Sequence, residues 1–119
     1  MEIGIDCVDL SRFNKDVASK RNILEKIFTE KEIQYCERKV KSYQHYAVRF
    51  AGKEAVIKAF SCYGIKLLLK QIEILNKKNG IPFIKIVDAN VDDFDIKISL
   101  SHSNESAVAV ALVVKKSEN

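Results

Sequence analysis

The chain has 119 residues, of which 47% are hydrophobic and 30% are charged, and its formal net charge is +4. This length and composition predict one globular domain that buries about two thirds of its unfolded surface. The longest apolar run, 107–114, is too short for a membrane span, which needs roughly 18 residues, so no membrane partner is expected. The first residues, MEIGIDCVDL, lack the basic region of a secretory signal, and we expect a cytoplasmic protein.

The charge distribution indicates the class of partner, and the cysteine spacing limits the kinds of metal site or disulfide that the chain can form. Up to Lys70 the chain has 14 basic and 9 acidic residues, whereas the remainder has 6 and 7. A basic first half favours an anionic partner, such as a phosphate compound, a nucleic acid or an acidic protein. The cysteines Cys7, Cys36 and Cys62 have no C-x-x-C spacing, which argues against a zinc knuckle or a disulfide framework.

The first half of the chain predicts one strand followed by helices. EIGIDCV alternates with the period of a strand, and the apolar spacing within 10–17 indicates a helix after it. Thr29 followed by Glu32 forms an S/T-x-x-E capping box, which predicts that a helix begins directly after the threonine. A long helix is predicted over about 43–60, with Gly64 as its left-handed terminator.

The second half predicts four strands. Asn79-Gly80 between two β-rich runs is a strong hairpin signal, and Pro82 stands at a strand start, where it is tolerated. FDIKISLS alternates apolar and polar residues, SAVAVALVV is typical of a buried strand, and HSNE is the turn between them. A strand, then helices, then four strands predict an α+β fold in a single domain, 1–119, with an antiparallel sheet packed against helices.

Charged residues stand in apolar surroundings at two places. Asp6 lies on a largely apolar strand, where an unpaired buried carboxylate costs several kcal/mol, so it faces water, caps the next segment or binds a cation. Glu54 and Lys58 form an i, i+4 pair that is worth only about 0.3–0.5 kcal/mol if it is exposed. Because Ala47 and Ala51 share their strip of the helix, the strip has room for a bound charged ligand.

Further cations and a histidine extend this pattern. Arg49 lies on the same helix, and so does Lys53, which falls on its apolar face and has to snorkel or find a partner. His102 stands between Ser101 and Ser103 at a strand end, where it is either an exposed turn residue or a donor to phosphate oxygens. A Ser–His hydrolase is disfavoured because no G-x-S-x-G elbow precedes these residues.

A series of short motifs runs through nearly the whole chain: IGID, FTEKE, RFAGKEAVIKAF, NGIPF and ISLSHS. In this order they resemble the holo-acyl-carrier-protein synthases, the short stand-alone type of 4′-phosphopantetheinyl transferase. The specific part is K-E-A-x-x-K in the long helix combined with G-[IV]-D upstream. The resemblance implies the fold of these transferases and a reaction that moves phosphopantetheine from coenzyme A to a serine of an apo acyl carrier protein, releasing adenosine 3′,5′-bisphosphate.

The resemblance also implies a role for each matching residue. Asp6 and Glu54 match the acids that bind Mg²⁺. Deprotonation of the carrier serine needs a base, and we expect Glu54 to serve, directly or through a metal-bound water. Lys58 matches the helix lysine, which completes the implied catalytic set and neutralises the leaving group. Contacts to coenzyme A are implied for Arg49, Lys53, Lys58, Pro82, His102 and Ser103.

Partners are implied as well. Arg12 matches a basic position, on the first helix, that faces the acidic carrier protein, and family members of this length assemble as homotrimers with sites between subunits. The turn Ser61-Cys62-Tyr63-Gly64 departs from the family, which has more glycine there, and keeps open a catalytically silent module that binds coenzyme A or an acidic protein. A nucleic-acid-binding protein is a third hypothesis, but no RNA-binding aromatic signature or C₂H₂ spacing supports it, and we expect no nucleic-acid partner.

Overall fold

The computed structural model describes residues 1–14 and 20–118. Its strands are β1 (Glu2–Asp9), β2 (Ile72–Asn76), β3 (Pro82–Ile86), β4 (Phe94–His102) and β5 (Ser106–Lys115). Its helices are α1 (Arg21–Ile27), α2 (Glu30–Glu37) and α3 (Ser42–Ser61). None of the helices in this described part is long and apolar enough to cross a membrane.

The strands form two antiparallel sheets, where the sequence predicts one. β1, β5 and β4 pair in that order, and β2 pairs with β3 in a separate hairpin. The hairpin turn is confirmed, since Gly80 has a φ of +87° and its N–H donates to the carbonyl of Lys77 at 2.8 Å. The predicted α+β class, with antiparallel strands and helices in one domain, is also confirmed.

The segment after β1 differs from the predicted helix. Leu10 and Phe13 are buried as expected, but they belong to a single 3₁₀ turn, Leu10–Phe13. The rest of that prediction, including Val17, lies outside the described residues. Arg12 is therefore exposed on a short turn, and its guanidinium lies 5.0 Å from the centroid of the Phe50 ring.

Local signals place the start of α2 and the end of α3 correctly. The capping box forms, with Glu32 N–H donating to Thr29 Oγ1 and Thr29 N–H donating to Glu32 Oε1. After α3, Gly64 takes a φ of +74°, the left-handed conformation that glycine adopts without strain.

Helix α3 crosses the three-stranded sheet on a strip of small residues. Ala47, Ala51, Ala55 and Ala59 follow one another at one-turn intervals, and all four are fully buried. They let the helix backbone approach β1 closely, where Gly4 faces Ala55 and Ala59. The hypothesis that Ala47 and Ala51 leave room for a ligand is wrong, because the strip is filled by the sheet.

The substitution Gly4→Ala is expected to destabilise the fold by about 1–3 kcal/mol. A Cβ atom at this position would lie 1.9 Å from the carbonyl oxygen of Ala55, and helix backbone cannot move aside as a side-chain end can. Urea unfolding followed by circular dichroism measures the loss. Gly52→Ala is the matched control, since the three atoms nearest to its Cβ would be side-chain methyl ends, those of Ile74, Ile98 and Leu100. Equal losses in the two variants would contradict this account.

The apolar side of α3 holds a buried ion pair. Lys53 and Glu32 are both fully buried, and Lys53 Nζ lies 2.7 Å from Glu32 Oε1. Lys53 Nζ also donates to the carbonyls of Leu69 at 3.0 Å and Ile72 at 2.5 Å, and Glu32 Oε2 accepts from Ile74 N–H at 3.0 Å. Burial lowers the pKa of Lys53, and the attraction of Glu32 opposes that shift. The pair thus joins α2, α3 and β2.

The sheet face turned away from α3 is apolar along β1 and β5, and it is most exposed on β1. Ile3 and Ile5 are 62% and 58% exposed, and they lie opposite Leu112 and Val110 of β5. No element within the described residues covers this outer face. An exposed apolar patch on a folded domain marks an interaction surface.

Candidate functional site

A cavity of about 380 Å³ opens between α3, β4 and the β2–β3 hairpin. We refer to it as the hairpin cavity. Three of the residues predicted to contact coenzyme A, Arg49, Pro82 and His102, line it. The other polar side chains of its wall are Tyr35, His45, Asn76 and Ser99.

Arg49 is held rigidly at the floor of this cavity. It is only 3% exposed, its Nη2 donates to Asn76 Oδ1 at 2.5 Å, and its guanidinium lies 4.0 Å from the centroid of the Tyr35 ring. Asn76 Nδ2 in turn donates to the carbonyl of Gly80 at 3.0 Å. Arg49 Nε has no hydrogen-bond partner in the part of the chain that the structure describes. A buried guanidinium on the wall of a cavity that has no carboxylate among its described lining residues is suited to an anion.

His45 is a cavity residue that the sequence reasoning missed. It precedes Arg49 by one helical turn, so the two share a face of α3, and its ring centroid lies 5.9 Å from that of Tyr35, nearly edge-on. Burial, together with the charges of Arg49, Lys39 and His102, lowers the pKa of His45. Its i, i+4 spacing from Arg49 is the sequence signal that would have indicated it.

His102 and Ser103 have different positions at the end of β4. His102 Nδ1 donates to the carbonyl of Ser103 at 3.2 Å, which leaves Nε2 for a ligand. Ser103 Oγ accepts from the N–H groups of Glu105 and Ser106, both at 3.1 Å, so this hydroxyl holds the turn. Ser103 does not line the hairpin cavity, and its contact with coenzyme A stays a prediction.

The position of Lys53 contradicts its predicted contact with coenzyme A. Its ammonium is fully buried on Glu32 and on two backbone carbonyls, so a phosphate cannot reach it. Of the two outcomes that its wheel position predicts, snorkelling or a buried partner, the second is the one found. Lys53 is a structural residue that fastens β2, and with it one wall of the hairpin cavity, to α3.

The predicted catalytic residues lie on the other flank of α3. Lys58 Nζ lies 3.2 Å from Asp6 Oδ1 and donates to the carbonyl of Ile5 at 3.0 Å. The exposed pair between Glu54 and Lys58 does not form. Half-buried Glu54 makes no hydrogen bond or ion pair within residues 1–14 and 20–118. A carboxylate without a partner, one turn from a lysine that binds a second carboxylate, is suited to a cation or a proton.

Helix α3 separates these residues from the hairpin cavity. Arg49 and Lys58 are nine residues apart, about 180° around the helix at 100° per residue. His102 on β4 and Asp6 on β1 have β5 between them, which puts these strands about 10 Å apart. One copy of the chain therefore presents two separate sets of predicted site residues, one on each side of α3.

Comparison with known proteins identifies the protein family that this chain resembles. The sequence model of the 4′-phosphopantetheinyl transferase superfamily matches residues 2–113, nearly all of the chain. The holo-[acyl-carrier-protein] synthase of Cytophaga hutchinsonii is 39% identical over 95% of this chain and 96% of its own length. That of Chloroherpeton thalassium is 41% identical over 95% of this chain and 97% of its own length.

Solved structures of holo-(acyl-carrier-protein) synthases have the same fold. That from Bacillus anthracis, in complex with CoA (3′,5′-ADP), matches with a TM-score of 0.77 at 30% identity over 94% of each chain. That from Helicobacter pylori, in complex with coenzyme A, has a TM-score of 0.78 at 32% identity over 94% of this chain and 99% of its own. The chain belongs to the holo-[acyl-carrier-protein] synthase family, a family of transferase enzymes.

Proposed function

We propose that the protein transfers 4′-phosphopantetheine from coenzyme A to a serine hydroxyl of an apo acyl carrier protein. The observation that carries this proposal is the hairpin cavity, which brings Arg49, Pro82 and His102 together as the resemblance implies. Coenzyme A has phosphate groups that need cationic partners and an adenine ring that needs an apolar wall. The buried guanidinium and imidazole supply the first, and the hairpin residues up to Pro82 supply the second.

The proposed reaction is an attack by the serine oxygen on the phosphorus that carries pantetheine. A new P–O bond to serine forms as the bond to the bridging pyrophosphate oxygen breaks, and adenosine 3′,5′-bisphosphate leaves with that electron pair. Glu54, which has no partner among the residues that the structure describes, accepts the serine proton. Lys58 is positioned by Asp6 and neutralises the charge that develops on the leaving phosphate.

The residues present fit a magnesium ion that is completed by substrate. No group of three or more His, Cys, Asp or Glu side chains in the described residues is arranged to hold a metal by itself. Mg²⁺, however, prefers one or two carboxylates together with phosphate oxygens and waters, and Asp6 and Glu54 are two such carboxylates. When bound there, Mg²⁺ would polarise the phosphoryl group under attack. We therefore propose Asp6 and Glu54 as its ligands.

We further propose that the complete site forms between copies of the chain, as a homotrimer. This is supported by the position of α3 between the hairpin cavity and the catalytic set, and by the exposed apolar outer face around Ile3 and Ile5. Association of copies through that face would bury it. Light scattering on the purified protein should give the mass of three chains, whereas a monomer at assay concentration would contradict this part of the proposal.

The acyl carrier protein is proposed to dock near Arg12. This residue is exposed beside the end of β1, and the first half of the chain carries the excess of positive charge. An acidic carrier protein would be attracted to such a surface and oriented by it. We propose the cytoplasm as the place where the two proteins meet.

The experiment that tests the function is an intact-mass measurement. Purified protein, coenzyme A, Mg²⁺ and an apo carrier protein are mixed, and the carrier is expected to gain the mass of one phosphopantetheine. The absence of that gain across several carriers from the same source would overturn the proposal. Binding of coenzyme A without any gain would instead favour the catalytically silent module.

A further inference from the structure

The hairpin cavity contains two imidazoles, and only His102 was expected there. His45 enters it from α3, one turn before Arg49, while His102 enters from β4 on the facing wall. The ring of Tyr35 on α2 contacts the ring of His45 nearly edge-on at a centroid distance of 5.9 Å. The second imidazole is therefore a built part of the cavity wall.

The charges that face His45 all have the same sign. Arg49 on α3, Lys39 just after α2 and His102 on β4 act on it, while β2 contributes the neutral Asn76. Among the described residues that line the cavity, none is a carboxylate. Burial and the positive charges of Arg49 and Lys39 lower the pKa of His45 below its ordinary value, so near pH 7.5 its ring is neutral when no anion is bound. A bound phosphate would supply the missing negative charge.

We propose that His45 takes up a proton when a phosphate group of coenzyme A enters the hairpin cavity and then donates a hydrogen bond to it. This inference rests on the proposed function. It adds a contact residue whose protonation changes when coenzyme A binds, so that the affinity for coenzyme A depends on pH. The sign follows from linkage. Since a bound anion favours the charged ring, binding consumes a proton, and affinity falls as the pH rises through the pKa of the complex. The fall is at most about tenfold per pH unit for one group.

Proton uptake can be measured directly by calorimetry. Coenzyme A is titrated into the wild-type protein near pH 7.5, in buffers that differ in ionisation enthalpy. The slope of observed heat against buffer enthalpy gives the number of protons bound. At this pH the phosphate monoester, with a second pKa of about 6, contributes little itself. Wild-type protein is expected to show an uptake of a substantial fraction of one proton.

Two variants assign that proton. His45→Phe keeps a ring against Tyr35 without nitrogens, and His45→Gln keeps hydrogen-bonding capacity without titration near neutral pH. Both variants are expected to lose the proton uptake, and their affinity for coenzyme A should fall more at pH 7.0 than at pH 8.5. His102→Gln is the matched control in the same cavity. Thermal unfolding of each variant identifies any that fails to fold. If one His45 variant fails to fold, the proton uptake of the other His45 variant tests the inference.

The outcomes separate this inference from the proposed function. Coenzyme A that binds with unchanged proton uptake in either folded His45 variant overturns the inference alone. Uptake lost only in His102→Gln assigns the proton to the other ring and also overturns it. No binding of coenzyme A to wild-type protein overturns the inference and the proposed function together. Repeating the titration with 3′-dephospho-coenzyme A shows which phosphate group contacts His45. If the proton uptake disappears, the contact is with the 3′-phosphate; if it remains, the contact is with the pyrophosphate.

Discussion

Replacement of Lys53 by alanine is expected to reduce the free energy of unfolding by about 3–5 kcal/mol. The substitution leaves the carboxylate of Glu32 fully buried without its cation, and it removes one donor from each of the carbonyls of Leu69 and Ile72. An unpaired charge in a dry interior costs far more than an exposed ion pair contributes. Urea unfolding at neutral pH, followed by circular dichroism, measures the change.

Two further variants separate charge from packing and from position on the helix. Lys53→Met keeps an apolar stem near the Phe28 ring, and it should lose nearly as much stability as Lys53→Ala if the uncompensated Glu32 is the cause. Lys58→Ala removes a lysine that also pairs with a carboxylate, but its side chain is 55% exposed, and about 1 kcal/mol or less is expected. A Lys58→Ala loss as large as that of Lys53→Ala would contradict the assignment of a structural role to the buried pair.

The substitutions Asp6→Asn and Glu54→Gln are each expected to lower phosphopantetheine transfer at least about 100-fold. Each amide keeps the shape of the side chain and removes the charge that we assign to magnesium binding and, for Glu54, to proton acceptance. Because Glu54 has no partner within the described residues, Glu54→Gln should unfold at the same temperature as the wild type. The intact-mass assay, run as a time course, measures the rate.

Asp9→Asn is the matched control for these activity measurements. Asp9 is the exposed last residue of β1, on the same strand as Asp6, and it has no assigned role. Its transfer rate should stay within about twofold of the wild-type rate. Because about 1.36 kcal/mol in the activation free energy changes a rate tenfold, a twofold change corresponds to only a small change in that free energy. Full activity in either Asp6→Asn or Glu54→Gln would refute the metal assignment, whatever the control shows.

Features that depend on neighbours in the chain were predictable from the sequence. The capping box at Thr29, the left-handed Gly64 and the Asn79-Gly80 hairpin each depend on a few consecutive residues, and all three are confirmed. The long helix, predicted over about 43–60, extends over Ser42–Ser61, so each end was predicted within about one residue.

Features that depend on distant partners were not predictable in the same way. Glu32 was interpreted as a capping residue only, yet its carboxylate also neutralises Lys53, which lies 21 positions later in the chain. Lys58 pairs with Asp6 on the neighbouring strand β1 and not with Glu54 along its helix. Strand alternation in β1 was correct, but the pattern cannot tell which face is covered, and Ile3 and Ile5 lie on the exposed one.

The placement of α3 between two sets of site residues affects how inactive copies act in a mixed population. If each site takes its hairpin cavity from one copy and its carboxylates from the next, a site works only when both of these copies contribute intact residues. The number of working sites then depends on which copies are neighbours and not only on how many copies are intact. A copy that lacks only Glu54 disables one site and still contributes a sound hairpin cavity to another. A copy that also lacks His102 disables two sites, so a copy defective on both sides of α3 would be more strongly dominant than a copy defective on one side.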